Sequence, residues 1–518
     1  MHNGFQLIDG AIIVAYLLVL TGVGLYFSTR KMAMGDYFRA GKGMAWLPVG
    51  LSLMAALNSG IDFVQQPLAA YSYGVLVLMS FVTWIPLYPY VSRITLPFYR
   101  RLDVYSAYEY LERRFDVRVR SLAAVIFMLW RVAWMGVALY IPCFAINAAT
   151  GGALPIVPTI IVLGTVVTFY TVLGGIKAVI WTDVIQFCVM FTGLAVTLYV
   201  IFSRLGGVSE ILSAAHAGDK LSLFSHGDAA GRGLLKQVRL FLRADVTMIG
   251  LIVAVGVSRF TSFTTDQITI QRFQTTRSVA DSRRAFVINA VTDTIWMAVL
   301  VFIGLALFAF IKPESLPKGV SVDQIVPYFM GTWFPVGLLG LVIAAIFAAS
   351  LSSIDSAINA CSSIVVVDFY NRLILKRVRP TDDVSDQEQR AQLRVSRVAT
   401  LICGIAMIVV ASNVGNLGKL YLAANKVIGA FSGPLFGIFI LGMFTRRATG
   451  VCTLVGGLVG LLVSPYMAFR SGFSFTWAPP SGCLATILVG YGLSLLSGSS
   501  GLAKSLTFRQ VMTEEPPD

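Results

Sequence analysis

The sequence contains little charge. Only 13% of its 518 residues are Asp, Glu, Lys or Arg, whereas 56% are apolar, and soluble globular domains usually carry about 25% charged residues. The mean hydropathy is +0.77. The charged residues lie in short clusters between long apolar runs, which excludes a soluble protein built from several ordinary domains. The composition therefore predicts a protein that crosses a membrane many times.

The sequence also has few histidines and no closely spaced pair of cysteines. The three histidines, His2, His216 and His226, lie in polar stretches, which leaves little for a His-ligated metal or for His-based catalysis. The six cysteines form no CxxC pair and stand singly, mostly in apolar runs, so we expect packing residues and no disulfides. We predict no catalytic site and no enzyme.

Lys and Arg outnumber Asp and Glu by 40 to 26. No basic stretch is long or free of apolar neighbours, so we expect no nucleic-acid partner. Thirteen runs are long and apolar enough to cross a membrane, at about 20 residues each. They lie at 7–28, 44–73, 75–97, 119–147, 153–172, 177–203, 244–264, 285–311, 333–366, 396–413, 420–444, 448–468 and 480–498.

The basic residues predict the orientation of these spans. The first run is not expected to be a cleaved signal peptide, because no basic residue precedes it and Arg30 and Lys31 follow it. With the amino terminus outside, 27 of the 40 basic residues fall in inner loops and 11 in outer ones, as the cytoplasmic preference of Lys and Arg requires. We therefore expect an outer amino terminus and a cytoplasmic carboxyl terminus, in a plasma membrane of bacterial type.

The second span is interrupted at its middle by Asn58-Ser59-Gly60, followed by Asp62 and Gln65. Polar residues at membrane depth are costly unless they are paired or functional. An interrupted span leaves backbone carbonyls without partners in the helix, and such carbonyls are ready ligands for a cation. The alternative is a kinked helix whose polar side chains face its neighbours.

The ninth span carries hydroxyls on one helical face. Ala349, Ser352, Ser353 and Ser356 stand at spacings of 3, 4 and 7, which puts them on the same side of a helix. Hydroxyl and carbonyl oxygens suit a hard monovalent cation such as sodium, although a helix interface of small residues would give the same pattern. Asp355 in this stretch favours ion binding, because a carboxylate there is costly without a counter-charge.

Asp183 lies early in the sixth span, about 9 Å along the helix from Lys177 at about 1.5 Å per residue. The turn before them contains Gly174-Gly175. Two roles are open for Asp183 on position alone: a ligand on the route by which an ion leaves, or a partner of Lys177.

These stretches resemble the sodium/solute symporter family. Tyr170–Gln186 is similar to the family's fifth core helix, and Thr265–Arg272 is similar to the stretch after its sixth. Ser352–Tyr370 resembles the eighth core helix, and Ser106–Phe115 and Asp36–Phe38 also match. The matches run in the family's order from about residue 36 to about residue 445.

The resemblance implies an all-α membrane protein with two inverted repeats of five helices, in which the first and sixth core helices are discontinuous. On that plan the chain divides into a leading helix, a first repeat, an outer loop, a second repeat, two further helices and a cytoplasmic tail, at 1–30, 44–203, 204–243, 244–444, 448–498 and 499–518 respectively.

The resemblance also implies a sodium site made of the carbonyls of Ala55, Asn58 and Ala349 and the hydroxyls of Ser352 and Ser353. The helical face of the ninth span points independently to the last three positions. A second cation site of some family members corresponds to Asp183, Ser352, Asp355 and Ser356. Asp355 departs from a plain hydroxyl pattern, and it either strengthens that site or replaces it with a carboxylate that takes a proton.

Solute-facing positions follow from the same resemblance and are expected to include Asp62, Phe63, Gln65, Trp84, Arg131, Trp134, Arg259, Phe263 and Tyr421. The aromatic gate of sugar-transporting relatives has no clear counterpart in Ser262-Phe263-Thr264. The two arginines favour an anionic solute such as a carboxylate, whereas Asp62 favours a cationic or zwitterionic group. A structural ion pair would explain either arginine equally well.

We therefore predict a sodium-coupled symporter that imports a small organic solute by alternating access, with carboxylate-bearing, other anionic or zwitterionic solutes preferred. Sodium is the coupling ion and no cofactor is expected; the partners are the solute, sodium and the bilayer, and a monomer is expected to function. The alternatives are a proton-coupled symporter and a sugar symporter of the same fold. A transporter-like membrane sensor fits less well, because the tail from Ser499 is short.

Overall fold

The computed structural model describes residues 5–28, 39–205, 207–223, 241–244, 246–312, 316, 320–377, 385–417, 420–497 and 506–513. Over these ranges the chain is helical, and its strand-type pairing is confined to an isolated bridge between Met44 and Thr276. The predicted all-α class is therefore confirmed.

The α-helices are α1 (Leu7–Ser28), α2 (Trp46–Leu57), α3 (Gly60–Tyr73), α4 (Trp84–Tyr90), α5 (Leu96–Leu102), α6 (Glu109–Arg114), α7 (Val117–Ala149), α8 (Ile156–Leu205), α9 (Val208–Ala217), α10 (Met248–Thr264), α11 (Gln267–Thr275), α12 (Val279–Phe310), α13 (Ile325–Trp333), α14 (Leu338–Ile364), α15 (Asp386–Asn413), α16 (Leu420–Phe444), α17 (Gly450–Phe469), α18 (Ala478–Leu496) and α19 (Phe508–Thr513). Short 3₁₀ helices lie at Ala40–Lys42, Gly74–Thr83, Val322–Gln324, Val414–Leu417 and Phe475–Trp477, and π-helical turns at Val91–Thr95 and Val365–Ile374.

Ten helical stretches of the described chain are long and apolar enough to cross a membrane, or eleven if the bent pair α10 and α11 is one span. Two shorter apolar helices, Trp46–Leu57 and Ile156–Val172, fall below that length. The first ends at a break after Leu57, and the second ends just before Gly175, whose φ of 64° kinks α8. Thirteen crossings, and their orientation, therefore stay predictions.

The outer surface of the bundle is apolar in the way that contact with lipid requires. Leu18 of α1 is 66% exposed, Leu462 of α17 is 74% exposed and Leu488 of α18 is 68% exposed. Large apolar side chains on so many helix faces would make a soluble protein aggregate, but they are the favoured surface in a bilayer.

Two interruptions divide helices near the centre of the bundle. Asn58 leaves the helical region, with φ of −107° and ψ of 137°, and ends α2. Ser59 then begins α3 through a capping box with Asp62. The second interruption separates α10 from α11 by a 46° bend, and the Asp266 side chain caps α11 by accepting from the Ile268 N–H at 2.9 Å. Both predicted discontinuous helices are thus present.

Helix α14 is the central element of the bundle. In the Leu338–Ile374 span, 89% of the most apolar stretch is buried inside the protein. Its first turn is anchored by α1, because Asp9 Oδ1 accepts from the backbone N–H groups of Gly337 and Gly340, both at 2.8 Å. A carboxylate at a helix amino terminus satisfies free N–H groups and complements the helix dipole.

Part of the predicted tail packs back on the bundle. In α19, the carbonyls of Val511 and Met512 accept from Arg101 Nη1 at 3.0 and 2.5 Å. The Tyr110 hydroxyl donates to the Leu506 carbonyl at 3.2 Å. These contacts fix one end of α5 and α6 with residues that lie far along the chain.

Candidate ion and solute sites

The break between α2 and α3 lies against the hydroxyl face of α14. Ser352 Oγ donates to the Ala55 carbonyl at 2.8 Å, and Ser353 Oγ donates to the Asn58 carbonyl at 2.7 Å. The Ala349 carbonyl lies 3.0 Å from Ser352 Oγ and 3.2 Å from Ser353 Oγ. All five residues are at most 2% exposed. The structure thus brings together the five positions predicted for sodium.

The capping box explains why a carbonyl is free at this point. In a continuous helix the Ser59 N–H would bond to the Ala55 carbonyl four residues earlier. Here it donates to Asp62 Oδ2 at 2.7 Å instead, so the Ala55 carbonyl is left for α14. The approach is close because Gly60 has no side chain: a Cβ there would lie 2.3 Å from Ser350 Oγ. Three carbonyls and two hydroxyls in a dry setting form an oxygen set suited to a hard cation.

Asp183 is paired with an arginine from the other half of the chain. Arg272 Nη2 lies 2.7 Å from Asp183 Oδ2, and neither side chain is more than 1% exposed. Ser52 Oγ donates to the same oxygen at 2.6 Å. Lys177 is exposed, and no described ion pair includes it. The basic partner of Asp183 is therefore Arg272, and the alternative of a Lys177 pair is wrong because the two side chains face different surroundings.

The same guanidinium occupies part of the predicted second cation site. Arg272 Nη2 donates to Ser356 Oγ at 2.5 Å as well as to Asp183. Asp355, fully buried nearby, accepts from two neutral groups, the Tyr170 hydroxyl at 3.1 Å and Ser356 Oγ at 3.3 Å. Arg272 and Asp355 share a hydrogen-bond partner, because Ser356 Oγ accepts from the guanidinium and donates to the carboxylate. One cation, Arg272, therefore lies beside two carboxylates, Asp183 and Asp355. If both carboxylates are ionised, one negative charge is left to be balanced by a further cation, and a proton on Asp355 would remove it.

A cavity of about 290 Å³ lies beside the break. Its walls come from the α2–α3 break, α3, the 3₁₀ segment before α4 and the start of α4, α7, α10, α12, α16, and the 3₁₀ helix before α18 with the first turn of α18. Six of the nine predicted solute-facing residues line it, namely Asp62, Trp84, Arg131, Trp134, Arg259 and Phe263.

Each cavity arginine has a carboxylate partner. Arg131 forms an ion pair with the fully buried Asp266. Arg259 Nη2 lies 3.0 Å from Asp293 Oδ2, and its guanidinium stands 4.4 Å from the centre of the Trp84 ring. The structural ion pair that is the alternative role for these arginines is therefore present at both of them. Both arginines still line the cavity, so an anion that enters it would lie near two guanidinium groups.

The other three predicted positions differ. Phe63 packs edge-on against Trp296, with ring centres 5.8 Å apart, and Gln65 is 3% exposed within the bundle. Neither belongs to the cavity lining, because one face of α3 turns Asp62 and Gln66 towards the cavity and rotates the residues between them away. The side chain of Tyr421 lies outside the described residues.

Several cavity residues were missed by the sequence analysis. Asn289 and Asp293 of α12 and Trp130 of α7 all line the cavity. Asn289 and Asp293 stand four residues apart inside an apolar run, so the signal was present. Three buried cavity atoms have no hydrogen-bond partner in the described chain: Trp84 Nε1, Trp130 Nε1 and Asn289 Oδ1. Buried polar atoms are usually paired, so these three are candidate contacts for a polar solute.

Comparison with known proteins is consistent with this geometry. The model of the sodium:solute symporter family matches residues 37–460. The sodium/sialic acid symporter SiaT of Proteus mirabilis is 32% identical over 501 residues, covering 95% of each chain. The sodium/sialic acid symporter NanT of Aliivibrio fischeri is 31% identical over 500 residues, covering 94% of this chain and 93% of the relative. Human sodium-coupled monocarboxylate transporter 2 is 28% identical over 517 residues, covering 97% and 80%.

Solved structures agree on the architecture. A substrate-bound, outward-open sodium-coupled sialic acid symporter matches with a TM-score of 0.82 at 31% identity, covering 95% of this chain and 98% of its own. Mhp1, a nucleobase-cation-symport-1 family transporter, matches with a TM-score of 0.56 at 11% identity, covering 90% and 95%. The second likeness concerns the fold alone.

The Asp183–Arg272 pair allows a test of how much the pairing of two buried charges contributes to the stability of the protein. Arg272→Leu is expected to destabilise the protein by about 3–5 kcal/mol, because it leaves a buried carboxylate without its cation. Thermal unfolding of the purified protein in detergent measures this loss. Adding Asp183→Asn should restore part of the stability, since it removes the unpaired charge.

Arg284→Leu serves as the control, because the Arg284 side chain is 65% exposed and its ion pair with Asp281 is long, at 3.8 Å. It should change stability by no more than about 0.5 kcal/mol. A double variant that is no more stable than Arg272→Leu alone would show that the pair is not the source of the loss.

Proposed function

The chain belongs to the sodium:solute symporter family, and on that basis we propose that it imports an acidic organic solute by alternating access. Sodium is the coupling ion of this family. The observation that carries the proposal is the cluster of carbonyl and hydroxyl oxygens between the α2–α3 break and α14. It adjoins the cavity, because Asn58 belongs to both.

Sodium is proposed to bind the carbonyls of Ala55, Asn58 and Ala349 and the hydroxyls of Ser352 and Ser353. The cation would be held between α14 and the break that separates α2 from α3. Its binding would therefore favour the arrangement in which these helices are together and the adjoining cavity is formed. Each positive charge that enters down a membrane potential contributes about 2.3 kcal/mol per 100 mV to uptake.

The proposed solute is a carboxylate that also carries hydroxyl or amide groups. Relatives transport sialic acid and monocarboxylates, and both classes are acidic. The cavity volume of about 290 Å³ is close to the lower end of small-molecule sites, which span about 300–1,000 Å³, so the site has room for a solute larger than a three-carbon acid. The unpartnered atoms of Trp84, Trp130 and Asn289 support a solute with several polar groups, such as a sialic acid.

A second coupling cation is proposed at Asp355. Arg272 already balances Asp183, so the uncompensated charge lies with Asp355, between the Tyr170 and Ser356 hydroxyls. Sodium is preferred there, because the neighbouring Ser352 and Ser356 supply further oxygens. A proton on Asp355 is the alternative, and it gives the same net charge transfer.

The membrane arrangement completes the proposal. We infer a multi-pass protein of the bacterial inner membrane, with its amino terminus outside and its carboxyl terminus in the cytoplasm, from the distribution of basic residues over the loops. A monomer is proposed as the working unit, because one chain contains both the oxygen cluster and the cavity.

Sodium dependence tests the first site. In proteoliposomes the Ser352→Ala variant is expected to need about tenfold more sodium for half-maximal uptake of sialic acid, because losing one ligand to a cation costs about 1.4 kcal/mol or more. Sodium and proton gradients are imposed separately, and uptake is measured with radiolabelled solute.

Ser350→Ala is the matched control, since the neighbouring Ser350 hydroxyl has no hydrogen-bond partner in the described chain. It should leave the sodium requirement unchanged. Unaltered sodium dependence in Ser352→Ala, or full uptake on a proton gradient without sodium, would contradict the site.

The solute class is tested by competition. Unlabelled sialic acid is expected to inhibit uptake of labelled sialic acid at concentrations at which lactate has little effect. Asn289→Leu should raise the sialic acid KM about tenfold by removing a polar contact, while sodium dependence stays the same. Asn413→Leu, at an exposed position, is the control. Stronger inhibition by lactate than by sialic acid would count against a hydroxylated solute.

The number of coupling charges tests Asp355. Asp355→Asn is expected to lower the charge moved per solute by one, because the second cation loses its only uncompensated carboxylate. The ratio is obtained from the membrane potential at which uptake reverses, with Asp116→Asn as the control. An unchanged ratio in Asp355→Asn would rule out a coupled cation at this residue, and a proton is identified if only proton flux is lost.

A further inference from the structure

Asn58 takes part in both sites. Its carbonyl accepts from Ser353 Oγ at 2.7 Å in the oxygen cluster. Its side-chain amide donates in another direction, to Asp293 Oδ1 at 3.0 Å and to the Met54 carbonyl at 3.0 Å. Asn58 is 2% exposed, so these bonds are shielded from water. A change in the hydrogen bonds of this amide therefore affects the same residue whose backbone carbonyl is a proposed sodium ligand.

Asp293 connects this amide to the cavity arginine. One carboxylate oxygen accepts from Asn58, and the other lies 3.0 Å from Arg259 Nη2. Arg259 Nη1 donates further to Thr83 Oγ1 at 2.8 Å and to the Ser80 carbonyl at 3.1 Å. The path runs from the oxygen cluster through Asn58 at the helix break, Asp293 of α12 and Arg259 of α10 to the wall of the cavity, and a hydrogen bond joins each residue to the next.

The ion pair on this path lies beside a second carboxylate in the same cavity. Among the residues that the structure describes, Asp293 pairs with the cation of Arg259, and the two side chains are 10% and 15% exposed respectively. Asp62 lines the same cavity as Asp293, so two carboxylates face the space that Arg259 borders. A solute carboxylate that binds Arg259 must share the guanidinium with Asp293. The hydrogen bond from the Asn58 amide to Asp293 would then become stronger, because this amide is the other described hydrogen-bond donor to the carboxylate.

We propose that Asp293 is the positioning residue that couples solute binding to sodium binding, by joining the cavity arginine Arg259 to the Asn58 amide at the helix break. The inference rests on the proposed sodium site and solute cavity. When a carboxylate takes part of Arg259, the Asp293–Asn58 bond tightens and holds the Asn58 carbonyl towards α14. Sodium binding is strengthened, and by reciprocity sodium strengthens solute binding by the same factor.

The test measures this coupling factor directly. Sodium is titrated into the purified full chain in detergent, and the change in melting temperature gives the half-saturating concentration, with and without saturating sialic acid as the acidic probe. In the wild type sialic acid should lower the half-saturating sodium concentration about fivefold or more. In Asp293→Asn, which keeps the shape and removes the charge, that factor should fall to within about twofold of one.

Two further variants make the result specific. Asn58→Ala removes the amide and keeps the backbone carbonyl, so it should lose the same factor, and the double variant should lose no more than either single one. It also carries the test if Asp293→Asn does not fold. Asp281→Asn on the same helix, remote from both sites, should keep the wild-type factor.

The outcomes separate the inference from the proposed function. A wild type that does not respond to sodium overturns both. A wild type that responds, with an unchanged coupling factor in Asp293→Asn and Asn58→Ala, overturns the inference alone. A merely structural role would raise both sodium concentrations equally and leave their ratio intact, which also overturns it.

Discussion

One backbone N–H group controls what this fold presents at its centre. Because Ser59 donates to the Asp62 carboxylate, the helix cannot continue through Asn58 and the Ala55 carbonyl has no partner in its own helix. The free carbonyls are then satisfied from α14, whose hydroxyl face is accessible because Gly60 has no side chain. The oxygen cluster follows from this diversion of one hydrogen bond, and the Asn58 amide that contacts Asp293 lies at the same break.

Buried charge imposes a second constraint. Arg120, Arg131, Arg259 and Arg272 each pair with a carboxylate on another element. Removing either member of such a pair is strongly unfavourable in a low-dielectric interior. In the proposed alternating-access cycle, a change between outward and inward arrangements is therefore expected to keep these pairs intact. The helices joined by a pair should move together, and bending should concentrate at the two helix breaks, where backbone hydrogen bonds are already interrupted.

Local features of the sequence were the predictable ones. The break at Asn58-Ser59-Gly60 and the stripe at Ala349, Ser352 and Ser353 depend on residue type and helical spacing, and the structure brings exactly these groups into contact. The Asp183–Arg272 pair spans 89 positions, and no local pattern indicates which of many arginines will be the partner. Choosing Gln66 over Gln65 requires the rotation of α3, which is set by packing. Asn289 and Asp293 were within reach, as two polar residues one turn apart in an apolar run.

The docking of α19 has a consequence for biogenesis. Arg101 and the Val511 carbonyl are 410 positions apart, and most of the membrane-spanning helices are inserted between their syntheses. The contact is therefore among the last that a nascent chain can make. The same late segment completes the surroundings of Tyr110, which is fully buried and donates to the Leu506 carbonyl 396 positions further along the chain, so a chain that lacks residues 506–513 would leave this hydroxyl in α6 without that partner.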